Sequence, residues 1–306
     1  MSSPRSCRAT RRMLALSRQA LTVLMGWAMT ACSAGEPPVP LVETQANEQG
    51  CVRVRSTGPQ DPAAVPVPIK QACVGPYLLE LPQNYFYNQM GTEFDGSFAL
   101  ALEYPSLEPF KPGERSNLSV DVGIRTVTVT YDYIDRIDIR QAMKNSYTNM
   151  VSAPDDPSAS LEGRQMGEPI FGLTPYYADM ARTRAYEREH GRAESAPVMQ
   201  DRWHKDWFLR RAETGEVTTV IKCTSRNVKE TGVEYRNGKI AKNKTHELPD
   251  CEHIFTLEDH DTKVRLHYAR IGLPDWRRIE DRARMLFKQS LRGPAQVRSD
   301  NRWRQK

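Results

Sequence analysis

The sequence predicts an α+β protein with two lobes. Each lobe is an antiparallel sheet with a C-terminal helix, and disulfides within each half of the chain stabilise the lobes. Three observations support this prediction: alternating strands separated by turn residues, one amphipathic helical segment after the strands of each half, and four cysteines beyond the N-terminal segment. The chain has 306 residues, of which 39% are hydrophobic and 26% charged. Such a length corresponds to about two domains, and the composition excludes disordered and multi-span membrane proteins.

The first lobe is predicted over residues 70–150. Short strands are expected at 77–81 and 97–104, because each apolar run ends at a proline. Residues 120–134 give the clearest strand, since Val and Tyr alternate there with Thr. Residues 136–150 carry an apolar side chain at every fourth position and predict a helix.

The second lobe is predicted over residues 200–292, after a linker or insertion at 151–199. Within that insertion, Thr174 and Pro175 are candidates for the start of a helix. The lobe contains four predicted strands, at 207–211, 217–224, 251–258 and 263–271, and a helix that begins at Pro274-Asp275-Trp276. Residues 293–306 form a basic tail.

Residues 1–31 are predicted to be a lipoprotein signal peptide. They hold five arginines and no acidic residue, and 11 apolar or small residues run from Ala20 to Thr30. A membrane span needs about 20 apolar residues, so this stretch is typical of a signal peptide. The rest of the chain carries 38 basic and 38 acidic residues, a balance that excludes a basic nucleic-acid-binding protein.

The signal peptide ends in a segment, Met29-Thr30-Ala31-Cys32, that resembles the lipobox of bacterial lipoproteins. The resemblance implies that Cys32 is lipidated (palmitate among its acyl chains) and becomes the mature N-terminus. Ser33 in the next position implies the outer membrane rather than the inner one. Residues 32–69 are rich in proline and are expected to be the lipidated tether. An ordinary secretory leader cleaved nearby is the alternative.

Four cysteines remain in the exported chain, Cys51, Cys73, Cys223 and Cys251, and they allow three disulfide connectivities. We predict Cys51–Cys73 and Cys223–Cys251, because each pair closes a short loop within one half of the chain. A zinc site is the competing hypothesis, but no CxxC pair occurs. No metal and no cofactor are therefore expected.

Common catalytic motifs are absent from the sequence: there is no G-x-S-x-G, no H-E-x-x-H and no Gly-rich phosphate loop. Histidines recur every seven residues from 246 to 267. Pairing Phe255 with Leu266 in the last two strands would place His253 opposite Tyr268 on the buried side and His267 on the other face. The histidines would then not converge, and we expect neither a catalytic residue nor a metal ligand among them. A calcium site at residues 258–261 is a further alternative.

Aromatic and arginine side chains are the candidate partner-binding residues, because Tyr, Trp and Arg dominate interface hot spots. The last 44 residues hold 13 basic and 4 acidic residues, and the predicted C-terminal helix has a basic face. Trp207 is expected to be buried. The candidates are Tyr176, Tyr177, Trp203, Arg277, Arg278 and Arg282.

These features together resemble the periplasmic immunity lipoproteins that Gram-negative bacteria pair with antibacterial effectors, lipases in particular, of type VI or type IV secretion systems. The residues that carry the resemblance are the lipobox and the segments Asp206-Trp207-Phe208, Val220-Ile221-Lys222-Cys223, Cys251 and Leu273-Pro274-Asp275-Trp276. The resemblance implies a periplasmic protein that is anchored to the outer membrane by its lipid, binds a secreted toxin and catalyses no reaction. A structural or assembly lipoprotein of the envelope is the alternative function, and an enzyme is a third.

Overall fold

The structure is a computed structural model that describes residues 42–117, 119–148, 155–191 and 204–294. Its elements, in chain order, are β1 (Val42–Ala46), β2 (Val52–Ser56), β3 (Ile69–Val74), β4 (Tyr77–Pro82), β5 (Leu100–Glu103), β6 (Glu108–Pro109), α1 (Val120–Ile124), β7 (Thr126–Tyr133), α2 (Ile139–Lys144), β8 (Arg164–Met166), β9 (Thr174–Ala178), α3 (Met180–Glu189), β10 (Asp206–Arg211), β11 (Val217–Cys223), β12 (Val233–Arg236), β13 (Lys239–Lys242), β14 (Asp250–Leu257), β15 (Thr262–Ala269), α4 (Trp276–Ser290) and β16 (Leu291–Pro294).

A nine-stranded antiparallel sheet dominates the fold, with the strand order β6-β5-β7-β15-β14-β11-β10-β9-β8. The α+β class and the C-terminal helix predicted from the sequence are confirmed. A separate sheet for each lobe is not what forms. Strand β7 of the first half pairs with β15 of the second, with Val129 opposite Leu266. Both strands have one apolar side, so pairing them buries both in one core.

Helix α4 packs across one face of this sheet. Trp276, Ile279, Ala283, Leu286 and Phe287 are buried, in agreement with the apolar face predicted from their spacing. Full burial of such a large apolar side chain stabilises a fold by about 1.5–3 kcal/mol. This face holds the larger apolar core.

A smaller apolar cluster lies on the opposite face of the sheet. Trp207, Val220 and Ile254 form it with Met143 of α2, and Trp207 is buried as predicted. Asp138 caps α2 by accepting hydrogen bonds from the backbone N–H groups of Arg140 and Gln141.

Residues 42–69, which composition assigns to the tether, contain two strands in the structure. Strands β1 and β2 form a hairpin, and β3, β4 and β16 form a three-stranded sheet beside it. Both predicted disulfides, Cys51–Cys73 and Cys223–Cys251, are present. The Pro-rich composition on both sides of β2 masked this strand, although its own five residues carry no proline.

Three local predictions need correction. The strand expected at 120–134 begins with α1, because the Ser119 hydroxyl accepts a hydrogen bond from the Val122 N–H and starts a helical turn. The insertion at 151–199 contributes β8 and β9 to the sheet. Pro175 lies in β9, and α3 is capped by Asp179 rather than by Thr174.

The predicted register of the last two strands is wrong by two residues. Phe255 lies opposite Val264, and His253 lies opposite Leu266. Side chains alternate between faces with a period of two, so a two-residue shift keeps the same residues on the buried face and cannot be told apart by pattern. The connection fixes the register, since Asp261 adopts a left-handed conformation with φ 45°.

No helix in the described ranges is long and apolar enough to span a membrane.

Candidate partner-binding surface

A buried acid–base group joins α4 to the sheet. The Glu280 carboxylate accepts hydrogen bonds from the Thr219 hydroxyl at 2.9 Å and from Arg284 at 2.7 and 2.9 Å, and it pairs with His253 Nε2 at 3.0 Å. Tyr268 Oη lies 3.3 Å from His253 Nδ1. His253 is fully buried and Glu280 is only 5% exposed, so both groups face protein atoms rather than solvent.

The electrostatics of this group match a structural role. Burial alone would raise the pKa of Glu280, but the hydrogen bond and charge of His253, together with Arg284, lower it below its ordinary value. The carboxylate is therefore held ionised and fully partnered. Its hydrogen bonds connect α4 with β11 and β14.

The histidines do not converge on one point. His253 is buried beneath α4, whereas His267 is exposed on the other face of the sheet, as predicted. His260 lies in the β14–β15 connection. The described part of the chain has no group of three or more His, Cys, Asp or Glu side chains arranged to hold a metal ion.

Two of the three predicted arginines of α4 bind the loop after β5. Arg278 donates to the Pro105 carbonyl at 2.7 Å and to Asp275 at 3.1 Å. Arg282 donates to the Leu107 carbonyl at 3.1 Å and to Glu108 at 3.0 Å. These contacts hold the loop against the helix and neutralise much of the predicted basic face.

Arg277 is exposed, and no ion pair or hydrogen bond of its guanidinium is found among the described residues. Its guanidinium lies 5.3 Å from the centre of the Trp276 ring, and the Trp276 indole N–H donates to the Phe171 carbonyl at 2.9 Å. The turn before β9 therefore lies beside the first turn of α4. Phe171 in this turn is 46% exposed, and Met285, farther along α4, is 43% exposed.

The β12–β13 hairpin borders the same region. Asn237 and Gly238 have φ values of 51° and 76°, the positive values that a type I′ turn requires. Tyr235, beside this turn, is 60% exposed and interacts with the Tyr104 hydroxyl. Tyr104 in turn donates to Asp275 at 2.8 Å. Burial of Tyr104, together with this hydrogen bond, raises the pKa of its hydroxyl.

These contacts link the turn before β9 and the β12–β13 hairpin to α4, and we call the exposed side chains of the three elements the α4 surface. A groove of about 580 Å³ runs along it between α4 and the loop at 106–108. Its exposed side chains combine aromatic, apolar and charged groups: Phe171, Tyr235, Arg277, Arg278, Asp281 and Met285.

The predicted tyrosines lie elsewhere and do not share a surface. Tyr176 and Tyr177 are consecutive on β9, so their side chains point to opposite faces of the sheet. Tyr176 lies opposite Trp207 and packs on the smaller cluster, and Tyr177 lies beneath the Arg226 guanidinium at 3.5 Å. Trp203 lies outside the described residues. Sequence reasoning missed Tyr235 and Phe171. The signal that could have found Tyr235 is the Asn237-Gly238 pair, which favours a hairpin turn.

The fold defines an α+β protein with one large antiparallel sheet, a C-terminal helix across one face, and an aromatic and charged surface at the start of that helix. No protein-family model matches the sequence, and no curated protein sequence matches it. Among solved structures, the chain is similar to Smlt3025, an immunity protein of the Stenotrophomonas maltophilia type IV secretion system. The TM-score is 0.65 at 23% sequence identity, and the match covers 82% of this chain and 99% of Smlt3025. The two proteins share a fold.

Proposed function

We propose that this chain is an immunity protein, which binds a secreted antibacterial effector in the periplasm and neutralises it without catalysing a reaction. The observation that carries the proposal is the fold, shared with a secretion-system immunity protein over nearly the whole length of that protein. The enclosure of the His253–Glu280 pair supports a binding role, since a general acid or base must reach its substrate.

The location proposed for this activity is the periplasmic side of the outer membrane. The lipobox at residues 29–32 supports lipidation of Cys32, and the two disulfides suit an oxidising compartment. A lipase-type effector fits this location, because its substrate would be the bilayer to which the protein is anchored. Local concentration at that bilayer would favour capture of the effector.

We assign effector binding to the α4 surface. Aromatic and arginine side chains supply most of the binding energy in protein interfaces, and rigid presentation lowers the entropic cost of association. The type I′ turn holds Tyr235, and hydrogen bonds to the neighbouring loop hold Arg278. Arg277 has its charge available for a carboxylate of the partner.

The test of function uses residues 33–306, exported to the periplasm, as bait against secreted and periplasmic proteins of the source organism. We expect one secreted toxin to be retained in a one-to-one complex and its activity to be blocked. Retention of resident envelope proteins alone, from cells that are producing toxins, would refute the proposal. That result would instead favour a structural lipoprotein of the envelope.

The test of the surface compares two charge reversals on the same helix. Arg277→Glu, within the α4 surface, is expected to weaken toxin binding by about 30-fold or more, as at an interface hot spot. Lys288→Glu, in the last turn of α4, is the matched control and should bind as tightly as the wild type. Equal affinity of both variants would refute the assignment of the surface while leaving the immunity function intact.

A further inference from the structure

The β1–β2 hairpin has its apolar face toward solvent. Cross-strand pairing places Val42, Thr44 and Ala46 of β1 on the same face as Val52, Val54 and Ser56 of β2. Ser56, opposite Val42, accepts a hydrogen bond from the Lys70 ammonium at 3.2 Å. The three valines are 66%, 48% and 46% exposed in the order Val42, Val52, Val54. No side chain on this face carries a charge. We call the five residues of this face other than Ser56 the outer face of the hairpin.

The opposite face carries the charged side chains of the hairpin, and Arg53 on that face is turned inward. Arg53 is only 4% exposed, and its guanidinium donates to the carbonyls of Glu93 and Phe94 at 3.1 and 3.2 Å. It also donates to the Gln45 side chain at 2.5 Å. Burial of Arg53 lowers its pKa, which reflects the cost of placing a charge in this position.

An amphipathic strand in water normally buries its valines and exposes its arginines. A one-residue shift of β2 would exchange the two faces. The structure prevents that shift, because Cys51 is linked to Cys73 and Asn47 accepts a hydrogen bond from the Cys51 N–H at 2.8 Å. The fold therefore holds the apolar face outward, which is favourable only where that face meets an apolar environment.

We propose that the outer face of the β1–β2 hairpin docks on the lipid bilayer to which Cys32 anchors the chain. The inference rests on the lipid anchoring included in the proposed function. Nine residues separate Cys32 from Val42, and they can span at most about 30 Å. The bilayer is thus the apolar surface that stays within reach of the hairpin at all times.

The size of the outer face also favours the bilayer over a second copy of the chain. A stable protein interface buries about 800 Å² on each partner, more than three valines, a threonine and an alanine can supply. A weak apolar contact is sufficient beside a lipid anchor, because the anchor makes docking intramolecular and stable attachment commonly combines two such signals.

The experiment couples the mature chain, residues 32–306 with the four other cysteines oxidised, through the Cys32 thiol. One sample is attached to a maleimide lipid in vesicles of phosphatidylethanolamine and phosphatidylglycerol, and the reference is attached to soluble maleimide polyethylene glycol. Hydrogen exchange is then measured for residues 42–56. If the hairpin is docked about nine-tenths of the time, its amide exchange slows by about tenfold on vesicles.

Two variants make the measurement specific. The double substitution Val52→Asp and Val54→Asp, on the outer face, should abolish the slowing, with an unchanged circular dichroism spectrum as the check on folding. Met166→Asp changes an exposed apolar residue on the edge strand β8, away from the hairpin, and should leave the slowing intact.

Equal exchange on vesicles and on the soluble tether would overturn the proposal. Slowing of the soluble form that increases with protein concentration would also overturn it, in favour of pairing between two copies. Labelling of cells with radioactive palmitate separates the two hypotheses. If the wild type takes up no label, the anchoring is refuted. If the wild type is labelled and Cys32→Ser is not, but exchange in the hairpin is not slowed on vesicles, only the docking is refuted.

Discussion

Replacing Glu280 by glutamine removes the negative charge that joins α4 to the sheet while keeping the shape of the side chain. The carboxylate of the wild type accepts from Thr219 and from Arg284 and pairs with His253. An amide offers one acceptor oxygen and turns its NH₂ group toward either Arg284 or the Thr219 and His253 side, so half of these contacts lose their acceptor.

Loss of one partner from a buried charge pair costs about 3–5 kcal/mol when the remaining charge is stranded. The Arg284 side chain is 36% exposed and can turn partly toward water. We therefore expect Glu280→Gln to lower the free energy of unfolding by about 2–3 kcal/mol at pH 7. For a body of this size the melting temperature should fall by about 5–10 °C.

The assay is equilibrium unfolding in urea followed by circular dichroism, with disulfides oxidised. Asp281→Asn, which removes the same charge from an exposed position of α4, is the control and should change stability by less than about 0.5 kcal/mol. A loss below about 1 kcal/mol for Glu280→Gln would refute the view that this carboxylate links α4 to the sheet.

The same experiment has a defined pH dependence. The folded pKa of Glu280 lies below the ordinary value of 4.5, because the partners of the carboxylate outweigh its burial. The ionised group therefore contributes stability that is fully present above pH 4.5 and is lost as the pH falls through the lower, folded pKa. The difference between wild type and Glu280→Gln should shrink in that acidic range, and a constant difference would contradict the explanation.

Three further predictions concern the core and the smaller cluster. Tyr131→Phe removes a hydrogen bond of 2.8 Å to a backbone carbonyl of α4 and should lower the urea midpoint by the equivalent of about 1 kcal/mol, so an unchanged midpoint would count against that bond. Gly75→Ala should lower the stability measured in a thermal melt by about 2–4 kcal/mol, because the new Cβ would come within 2.2 Å of the Tyr133 ring and the φ of Gly75 is +53°. Adding Tyr133→Ala should recover part of this loss, whereas simple addition of the two losses would exclude the clash. Burial lowers the pKa of Lys222 to about 8, so one methyl-labelled lysine should titrate near that pH by NMR. The stability of the fold should rise between pH 8 and the ordinary lysine pKa of 10.5, because only the unfolded chain keeps the proton in that range. Titration of every lysine above pH 10 would contradict this prediction.

The sequence indicated the elements whose pattern is local. Strands β10, β11, β14 and β15 and helix α4 follow from alternation, from the four-residue spacing of apolar positions, and from turn residues between them. Both disulfides follow from the short loops that they close. Each of these features depends on residues close together in the chain, and such signals survive without knowledge of the tertiary structure.

The elements that the sequence did not reveal depend on distant contacts. Strands β7 and β15 are neighbours in the sheet although β8 and β9 lie between them in the sequence. No local pattern specifies which strand pairs with which. Strand β2 was missed although its residues alternate between valine and arginine, because the Pro-rich stretches on both sides assigned the whole segment to the tether.

The candidate surface includes some of the side chains that the sequence singled out, Arg277 and Arg278 among them. Arginines of α4 were expected to face a partner, but the chain itself supplies acceptors for Arg278 and Arg282, and only the folded structure brings that loop to the helix. Arg277 remains available. Tyr235 and Phe171 join it because two turns, distant in sequence, lie beside the start of α4.

The pairing of β7 with β15 also constrains when the protein can fold. The central pair β7–β15 can form only when the chain is available for folding as far as residue 269, where β15 ends. Helix α4, which covers the core, follows β15 in the chain. Until then β7 has no partner on one side, and long-range pairings of this kind form slowly. A chain that leaves the cytoplasm N-terminus first would thus stay unfolded through most of its passage, as a narrow translocation channel requires. In an exported chain, the order of the strands in the sequence would by itself delay folding until translocation is complete.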